Sequence, residues 1–218
     1  MKLKKNNGIA NSNVNFIDKK TCVIGSNVTF GKNVTIYPNN VIIGKTYIGD
    51  NSVIKYNNYI NDCNIGANTI IDFSYMEQSF VGDNVNIGPY SRLRPNSKID
   101  NNCKIGNFVE VKNSNLGEGT KASHLAYIGD STIGKNCNIG CGAIFVNYNG
   151  KEKNKTLVGD NCFIGSNCNI IAPVEIKNNT YICAGTTLTI NTEEYDFVIG
   201  RQRETIKPQK AKKYLKEQ

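Results

Sequence analysis

The chain has 218 residues, and its 26 lysines and arginines exceed its 18 aspartates and glutamates, which gives a net charge of +8. This charge fits a phosphorylated substrate or an anionic cofactor. It also fits nucleic acid, but no patch of basic and stacking aromatic residues and no helix-turn-helix or finger spacing is present, so we expect no nucleic-acid partner. No run of about 18 apolar residues occurs, and the N-terminus lacks an apolar signal-peptide core. We therefore expect a cytoplasmic protein without a membrane span.

Residues 1–21 are a polar lead-in, after which an aliphatic residue recurs at every sixth position, usually followed by Gly, Asp or Asn. A period of six is neither the helical period of about 3.6 nor a simple alternation, and it predicts short strands that are each followed by a turn. The periodic residues are, in chain order, Ile24, Phe30, Ile36, Ile42, Ile48, Ile54, Val81, Ile87, Leu93, Ile99, Ile105, Val111, Ile133, Ile139, Phe145, Val158, Ile164, Ile170, Ile176, Ile182 and Leu188.

Three such units, about eighteen residues, bring the chain back over itself one coil higher. The sequence therefore predicts an all-β fold, a parallel β-helix shaped as a triangular prism over residues 22–191, with roughly nine coils at about 4.8 Å each. Smaller residues that follow the periodic ones by four or five places are expected to fill the rest of the interior. They are Val28, Val34, Val53, Val85, Cys103, Val109, Cys137, Cys162 and Cys168.

The eight cysteines thus need no disulfide or metal to explain them. Half of them occupy the small interior position, where a free cysteine acts as a small apolar residue. Because no CxxC pair occurs and His124 is the only histidine, we expect no metal site. Cys141 falls outside the interior pattern and is expected at the surface.

The six-residue period is interrupted in three places. Slips at Asp62–Ile65 and Phe73–Phe80 predict bulges at a corner of the prism. The polar segment 146–157, VNYNGKEKNKTL, predicts a loop that leaves the prism, and such loops often carry binding groups. Beyond Asn191 the repeat ends, and residues 192–218 form a basic arm that is either a solvated tail or a contact for an anionic ligand.

Five motifs, RLRP at 92–95, IGNFVEVK at 105–112, KASHLAYIGD at 121–130, NIGCG at 138–142 and VNYNG at 146–150, resemble the acetyltransferase domain of the GlmU family. The resemblance implies a left-handed β-helix, a homotrimer with sites between chains, and acetyl transfer from acetyl-CoA to glucosamine-1-phosphate. No counterpart of the family's uridylyltransferase domain is present, and Met1 favours a standalone protein. Asn149 stands where the family usually has Asp.

The resemblance also implies roles for individual residues. His124 corresponds to the catalytic base, since a neutral imidazole accepts a proton near pH 7. Phosphate and sugar binding fall to Arg94, Lys112, Tyr127 and Asn138. Acetyl-CoA binding falls to Cys141 (through its backbone N–H), Asn147, Tyr148, Lys153, Ser166, Ala184 and Arg201, with Lys153 expected to reach a neighbouring subunit.

Two other functions stay open at this point. The same site chemistry fits a different amino sugar or a sugar hydroxyl as acceptor. A non-catalytic β-helical scaffold would account for the repeat but not for the KASHLAY and VNYNG motifs. A γ-type carbonic anhydrase requires several zinc-binding histidines, and a single histidine excludes it.

Overall fold

A computed structural model describes residues 14–214, which form many short strands and two short 3₁₀ helices, Lys19–Thr21 and Lys210–Lys213. In chain order the strands are β1 (Val14–Phe16), β2 (Val23–Ile24), β3 (Thr29–Phe30), β4 (Val34–Ile36), β5 (Val41–Ile43), β6 (Tyr47–Ile48), β7 (Val53–Ile54), β8 (Tyr59–Asn61), β9 (Asn64–Ile65), β10 (Ile70–Ile71), β11 (Tyr75–Glu77), β12 (Phe80–Val81), β13 (Asn86–Ile87), β14 (Arg92–Leu93), β15 (Lys98–Ile99), β16 (Lys104–Lys112), β17 (Asn115–Leu116), β18 (Lys121–Gly129), β19 (Ser131–Ile133), β20 (Asn138–Ile139), β21 (Ile144–Val146), β22 (Thr156–Val158), β23 (Phe163–Ile164), β24 (Asn169–Ile171), β25 (Val174–Ile176), β26 (Tyr181–Ile182), β27 (Thr187–Leu188) and β28 (Phe197–Val198).

The strands build the three faces of a prism, and every named pair of neighbours is parallel. The first face contains β2, β5, β8, β11, β14, β16, β18, β21, β24 and β27, and the second contains β3, β6, β9, β12, β15, β17, β19, β22 and β25. The third face contains β1, β4, β7, β10, β13, β16, β18, β20, β23, β26 and β28. Equivalent residues are stacked coil on coil, as Ile24 is on Ile42 and Ile42 on Ile60. The predicted all-β, left-handed parallel β-helix of hexapeptide repeats is confirmed.

The periodic aliphatic residues form the core. From Ile36 to Leu188 they are almost completely shielded from solvent, and Phe145 is among the largest of the fully buried side chains. Burying each such side chain is worth about 1.5–3 kcal/mol, and the repeated stacking accounts for the prism's cohesion.

Smaller side chains fill the remaining interior, but many of them are polar. Cys103, Cys137, Cys162 and Cys168 are buried and Cys141 is exposed, as predicted. The prediction for Val53 is wrong, since its side chain is half-buried on the outer side and Ser52 is fully buried instead. A buried hydroxyl is tolerated here because it is hydrogen-bonded, as Ser52 Oγ is to the Gly66 carbonyl at 2.9 Å.

The predicted bulges at Asp62–Ile65 and Phe73–Phe80 are wrong. Both segments stay in the prism as β9, β11 and β12, and Met76 is fully buried in the core. Ile60 pairs with Met76, and Ile71 with Ile87, so these coils have 16 residues where the pair Ile24 and Ile42 spans 18. The corners of these coils are shorter, and the core side chains remain stacked on those of the neighbouring coils.

The predicted loop is present. The pairing of Phe145 with Ile170 spans 25 residues, and the extra residues, 147–155, project between β21 and β22. In the basic arm, β28 pairs with β26 and extends the third face by one more coil. After it, residues 199–214 are exposed.

Candidate active site

Two long strands carry the candidate site round one corner of the prism. β16 and β18 run from the third face to the first without a break, and we call the edge they cross the third–first corner. At this corner Phe108 and Leu125 have left-handed backbones, with φ values of 59° and 39°. Such values are uncommon for residues other than glycine, and the turn they make points both side chains outward.

His124 lies immediately before the corner and is exposed. It is stacked on Asn107 of the coil below, and its Nδ1 lies 2.7 Å from Asn107 Oδ1. An amide oxygen only accepts hydrogen bonds, so Nδ1 carries the proton and Nε2 is left with its lone pair free.

The first face carries the cations of the site. Arg94 Nη1 lies 3.0 Å from Glu110 Oε1, and both side chains are about one-third exposed, at 38% and 33%. Lys112 Nζ lies 2.9 Å from Asp130 Oδ2, with exposures of only 16% and 6%. Lys112 is paired with Gly129 on the next coil. The space at this glycine is filled by two neighbouring side chains, since a Cβ there would lie 2.5 Å from the Tyr127 hydroxyl and 2.8 Å from Asn147 Nδ2.

The charges of the site perturb one another. Burial disfavours the charge on Lys112 and on Asp130, but hydrogen bonds outweigh it: the bond to Asp130 raises the pKa of Lys112, and the bonds from Asn113 and then Lys112 lower the pKa of Asp130. Asn113 and Asn147 also donate to the Asp130 carboxylate. Lys112 lowers the pKa of the loop residue Lys153, because one positive charge disfavours another.

A single line of positions runs along the third–first corner above His124. Strand register on both sides of the corner stacks His124, Cys141, Ser166 and Ala184 on successive coils. All four are exposed, and the last three have small side chains. On the next coil Arg201 Nη1 donates to the Ala184 carbonyl at 3.0 Å.

The other predicted residues surround this line. Asn138 is exposed on the third face, in register with Lys121 of β18. Tyr127 stands on the first face, and its hydroxyl accepts from Asn147 Nδ2 at 3.4 Å. Tyr148 bridges to Lys153 across the loop and donates from its hydroxyl to the Gly150 carbonyl at 2.8 Å.

The side chain of Asn149 closes the turn of the loop. Its Oδ1 accepts the backbone N–H groups of Lys151 and Glu152, each at 2.9 Å. An amide oxygen thus provides the acceptor for this turn.

Three residues at the site were not singled out from the sequence: Asn107, Glu110 and Asp130. Each contacts a predicted site residue, namely His124, Arg94 and Lys112. Their types are common in this chain, and the only available signal was their place inside the motifs IGNFVEVK and KASHLAYIGD.

Outside the line the described residues offer two shallow depressions, of about 560 and 430 Å³, on the second face. Neither is lined by a residue predicted for the site. Within residues 14–214 no three His, Cys, Asp or Glu side chains are grouped so as to hold a metal ion. No helix in that range is long and apolar enough to cross a membrane.

Comparison with known families gives two matches along the chain. The GMPPB C-terminal domain matches residues 75–147, and the bacterial transferase hexapeptide family (six repeats) matches residues 155–189. The first match contains most of the candidate site, and the second contains Ser166 and Ala184.

Curated relatives cover nearly the whole chain. The bifunctional protein GlmU of Clostridium novyi is 45% identical over 99% of the chain, and that of Caldicellulosiruptor saccharolyticus is 49% identical over 95%. Over this shared part the chain is similar in sequence to the GlmU family. The alignments cover 48% and 45% of the two GlmU proteins, so the chain spans about half the length of the GlmU relatives it matches.

Among solved structures, an Arabidopsis UDP-N-acetylglucosamine acyltransferase is 18% identical, with a TM-score of 0.44, over 85% of the chain and 69% of its own. The polysialic acid O-acetyltransferase OatWY is 16% identical, with a TM-score of 0.35, over 91% of the chain and 95% of its own. Both similarities are far weaker than those to the GlmU relatives.

Proposed function

We propose that the chain transfers the acetyl group of acetyl-CoA to the amine of glucosamine-1-phosphate, giving N-acetylglucosamine-1-phosphate for UDP-N-acetylglucosamine and cell-wall synthesis. The observation that carries this proposal is the line from His124 through Cys141, Ser166 and Ala184 to Arg201. It supports a base at one end, room for an extended pantetheine arm beside small side chains, and a cation for CoA phosphate at the other end. Successive coils are about 4.8 Å apart, so the line is long enough for such an arm.

His124 is the proposed general base. Its Nε2 takes a proton from the ammonium of the sugar, and the free amine then attacks the thioester carbonyl, forming the C–N bond. The C–S bond breaks as the intermediate collapses, and the proton held by His124 goes to the departing thiolate. The second proton that the attacking nitrogen loses on becoming an amide goes to solvent. The Asn107 contact supports this role because it fixes the tautomer whose Nε2 is unprotonated.

The Cys141 N–H is the proposed donor to the oxyanion of the tetrahedral intermediate. Among residues 14–214 it donates to no protein acceptor, whereas the Gly142 N–H is bonded to the Leu125 carbonyl at 2.7 Å. A free, fixed backbone donor one coil above His124 favours charge that develops on the carbonyl oxygen.

Arg94 and Lys112 are the proposed ligands of the sugar phosphate, with Tyr127 and Asn138 contacting the sugar. A guanidinium binds two phosphate oxygens at once, and an ammonium adds a point charge. The Lys112–Gly129 register supports this assignment because the Tyr127 hydroxyl, a proposed sugar contact, fills the position beside that glycine.

We expect a homotrimer with sites between chains, in which Lys153 also reaches a neighbouring subunit. The third–first corner supports this assembly because it carries a ladder of apolar side chains that leads to His124. Tyr90 and Phe108 stack with ring centroids 5.6 Å apart, and Phe108 and Leu125 are 57% and 56% exposed. The ladder consists of Tyr37, Tyr56, Phe73, Tyr90, Phe108 and Leu125. Exposed apolar surface of this extent typically marks an interface.

The test is an acceptor panel with acetyl-CoA, read as release of free thiol. We expect glucosamine-1-phosphate to be the preferred acceptor, with glucosamine, glucosamine-6-phosphate and sugar hydroxyls far slower. Preference for another amino sugar or a hydroxyl would overturn the assignment of glucosamine-1-phosphate as the acceptor, but it would agree with acetyl transfer from acetyl-CoA. No thiol release and no acetyl-CoA binding by calorimetry would favour the scaffold function. Activity that is unchanged after dialysis against a chelator would agree with a reaction that needs no metal.

A further inference from the structure

Asp130 is a buried carboxylate at the edge of the site that the proposed reaction does not use. Only 6% of its side chain is exposed, and burying a charge is costly unless it is paired and hydrogen-bonded. Its partners are the side chains of Lys112 at 2.9 Å, Asn113 at 2.6 Å and Asn147.

The corner itself does not require this carboxylate. Asp130 stands at the corner between the first and second faces, with a left-handed backbone of φ 50°. Gln78, Asn96 and Asn113 occupy the same corner on earlier coils with similar backbones. Amide side chains therefore satisfy the geometry of the turn, and asparagine tolerates this conformation well.

Asp62 is an example of a carboxylate at this corner that only stabilises the backbone turn. It has the same left-handed backbone, φ 52°, but is exposed, and its Oδ1 accepts the backbone N–H of Lys45 at 2.8 Å. The Asp130 carboxylate has no backbone donor among the described residues and is bonded to side chains of the site instead.

Two of those side chains belong to different parts of the site. Lys112 lies on β16 and is a proposed phosphate ligand, whereas Asn147 begins the 147–155 loop that carries Tyr148 and Lys153. The Asp130 carbonyl also accepts the N–H of Thr156, at 3.3 Å, where the loop returns to the prism. Asp130 thus holds both ends of the loop and the ammonium group of Lys112.

We propose that Asp130 is a positioning residue that fixes Lys112 and the 147–155 loop in one arrangement, so that phosphate binding and the acyl-donor loop share a single anchor. Lys112 Nζ has three donors, and one is committed to Asp130. The remaining two then point in fixed directions toward an anion. This inference rests on the proposed function for the identity of that anion.

A purely electrostatic role for Asp130 predicts the opposite change in anion binding when the carboxylate is removed. If Asp130 acted only as a negative charge near the phosphate, its removal would strengthen anion binding. If it positions Lys112, its removal weakens binding although the site gains positive charge. The direction of the change therefore separates the two roles.

The experiment compares Asp130→Asn with Asp62→Asn, a matched control on the same corner. We expect Asp130→Asn to raise the KM for glucosamine-1-phosphate about ten- to a hundredfold, the loss typical of a hydrogen bond to a charged group. The KM for glucosamine, which has no phosphate, should not change. Asp62→Asn should resemble the wild type with both acceptors. An unchanged or lowered KM for glucosamine-1-phosphate in Asp130→Asn overturns the proposal.

A double-mutant cycle and a protease assay extend the test. In a Lys112→Met background, Asp130→Asn should add little to the loss in kcat/KM, because the two residues act through one contact. Full additivity contradicts the proposal. Trypsin should cleave Asp130→Asn faster than the control after Lys151, Lys153 or Lys155, and equal rates overturn the anchoring of the loop. A wild-type chain without acetyl transfer would instead refute the proposed function, and the trypsin assay would still decide the anchoring.

Discussion

His124 Nδ1 and Asn107 Oδ1 are held 2.7 Å apart by the stacking of two successive coils. The two residues are 17 positions apart in the chain, and only the coil repeat brings them together. A histidine on an exposed corner would otherwise be free to exchange its ring tautomers, and part of its population would carry the proton on Nε2 instead of Nδ1. This contact gives two of the predictions below.

Replacing Asn107 by Asp should change the pH profile of the reaction. A carboxylate beside Nδ1 stabilises the imidazolium, so the acidic limb of kcat/KM should move to higher pH by about one unit. Asn107→Ala should lower kcat and leave that limb near its original position. Asn64→Ala, an exposed asparagine on the second face, serves as control. Identical profiles for Asn107→Asp and the wild type would argue against the orientation of His124 by Asn107.

His124→Ala should remove the general base and lower kcat by about 10²–10⁴-fold. The side chain is exposed, so the circular dichroism spectrum and the thermal midpoint should stay close to those of the wild type. Steady-state thiol release measures the loss. A variant with near-normal turnover would refute the assignment of His124 as the base.

Neutral substitutions of Arg94 and Lys112 should raise the KM for glucosamine-1-phosphate with little change in the KM for acetyl-CoA. Lys112→Met should also cost stability, because it leaves Asp130 buried without its cation. Arg94→Met should cost less, since the Arg94–Glu110 pair is partly exposed. Lys98→Met, on the second face, is the control. Equal effects on both substrates would contradict the phosphate assignment.

Polar substitutions on the third–first corner should disrupt the assembly. The double variant Tyr90→Ser, Phe108→Ser removes two exposed stacked rings and should shift the protein from trimer to monomer in sedimentation velocity, with parallel loss of activity. The fold should survive because neither ring is in the core. Phe80→Ser, an exposed aromatic on the second face, should stay trimeric. A monomeric wild type, or a trimeric double variant, would rule out this corner as the interface.

The Lys112–Asp130 pair predicts a pH-dependent part of the stability. The pKa of Asp130 is lowered below its ordinary value of 3.8, so its contribution is present above that pH and is lost as the pH falls through the lowered value. The pKa of Lys112 is raised above 10.5, so its contribution is present below that pH and is lost as the pH rises further. The stability gap between the wild type and Asp130→Asn should therefore be constant from about pH 5 to 9 and shrink at either extreme. Denaturant unfolding at several pH values measures it, and a gap independent of pH would refute the ion pair.

The six-residue period was enough to predict the coil, most of the core ladder from Ile36 to Leu188 and a loop within 146–157, which the structure has at 147–155. The prediction failed where a repeat has five residues instead of six. A break in the period looks the same in the sequence whether the corner is shortened or the chain bulges out. Met76 shows the difference, since it keeps its place in the core once the corner absorbs the change. The interior position of Ser52 was missed for a related reason: its hydroxyl is satisfied by the carbonyl of Gly66 on the following coil.

The sequence by itself determined the fold class, the aliphatic interior residues that keep the six-residue period and the motifs that resemble the GlmU family, because these depend on residue type at fixed spacing. Only the tertiary structure decided that Asn107 holds His124, that Asp130 holds Lys112 and Asn147, and that Cys141, Ser166 and Ala184 continue the line above the histidine. Each of these contacts joins residues about one coil or more apart. Coil length varies from 16 to 25 residues along the chain, so the partner of a given side chain follows from how the coils are stacked and not from a constant spacing.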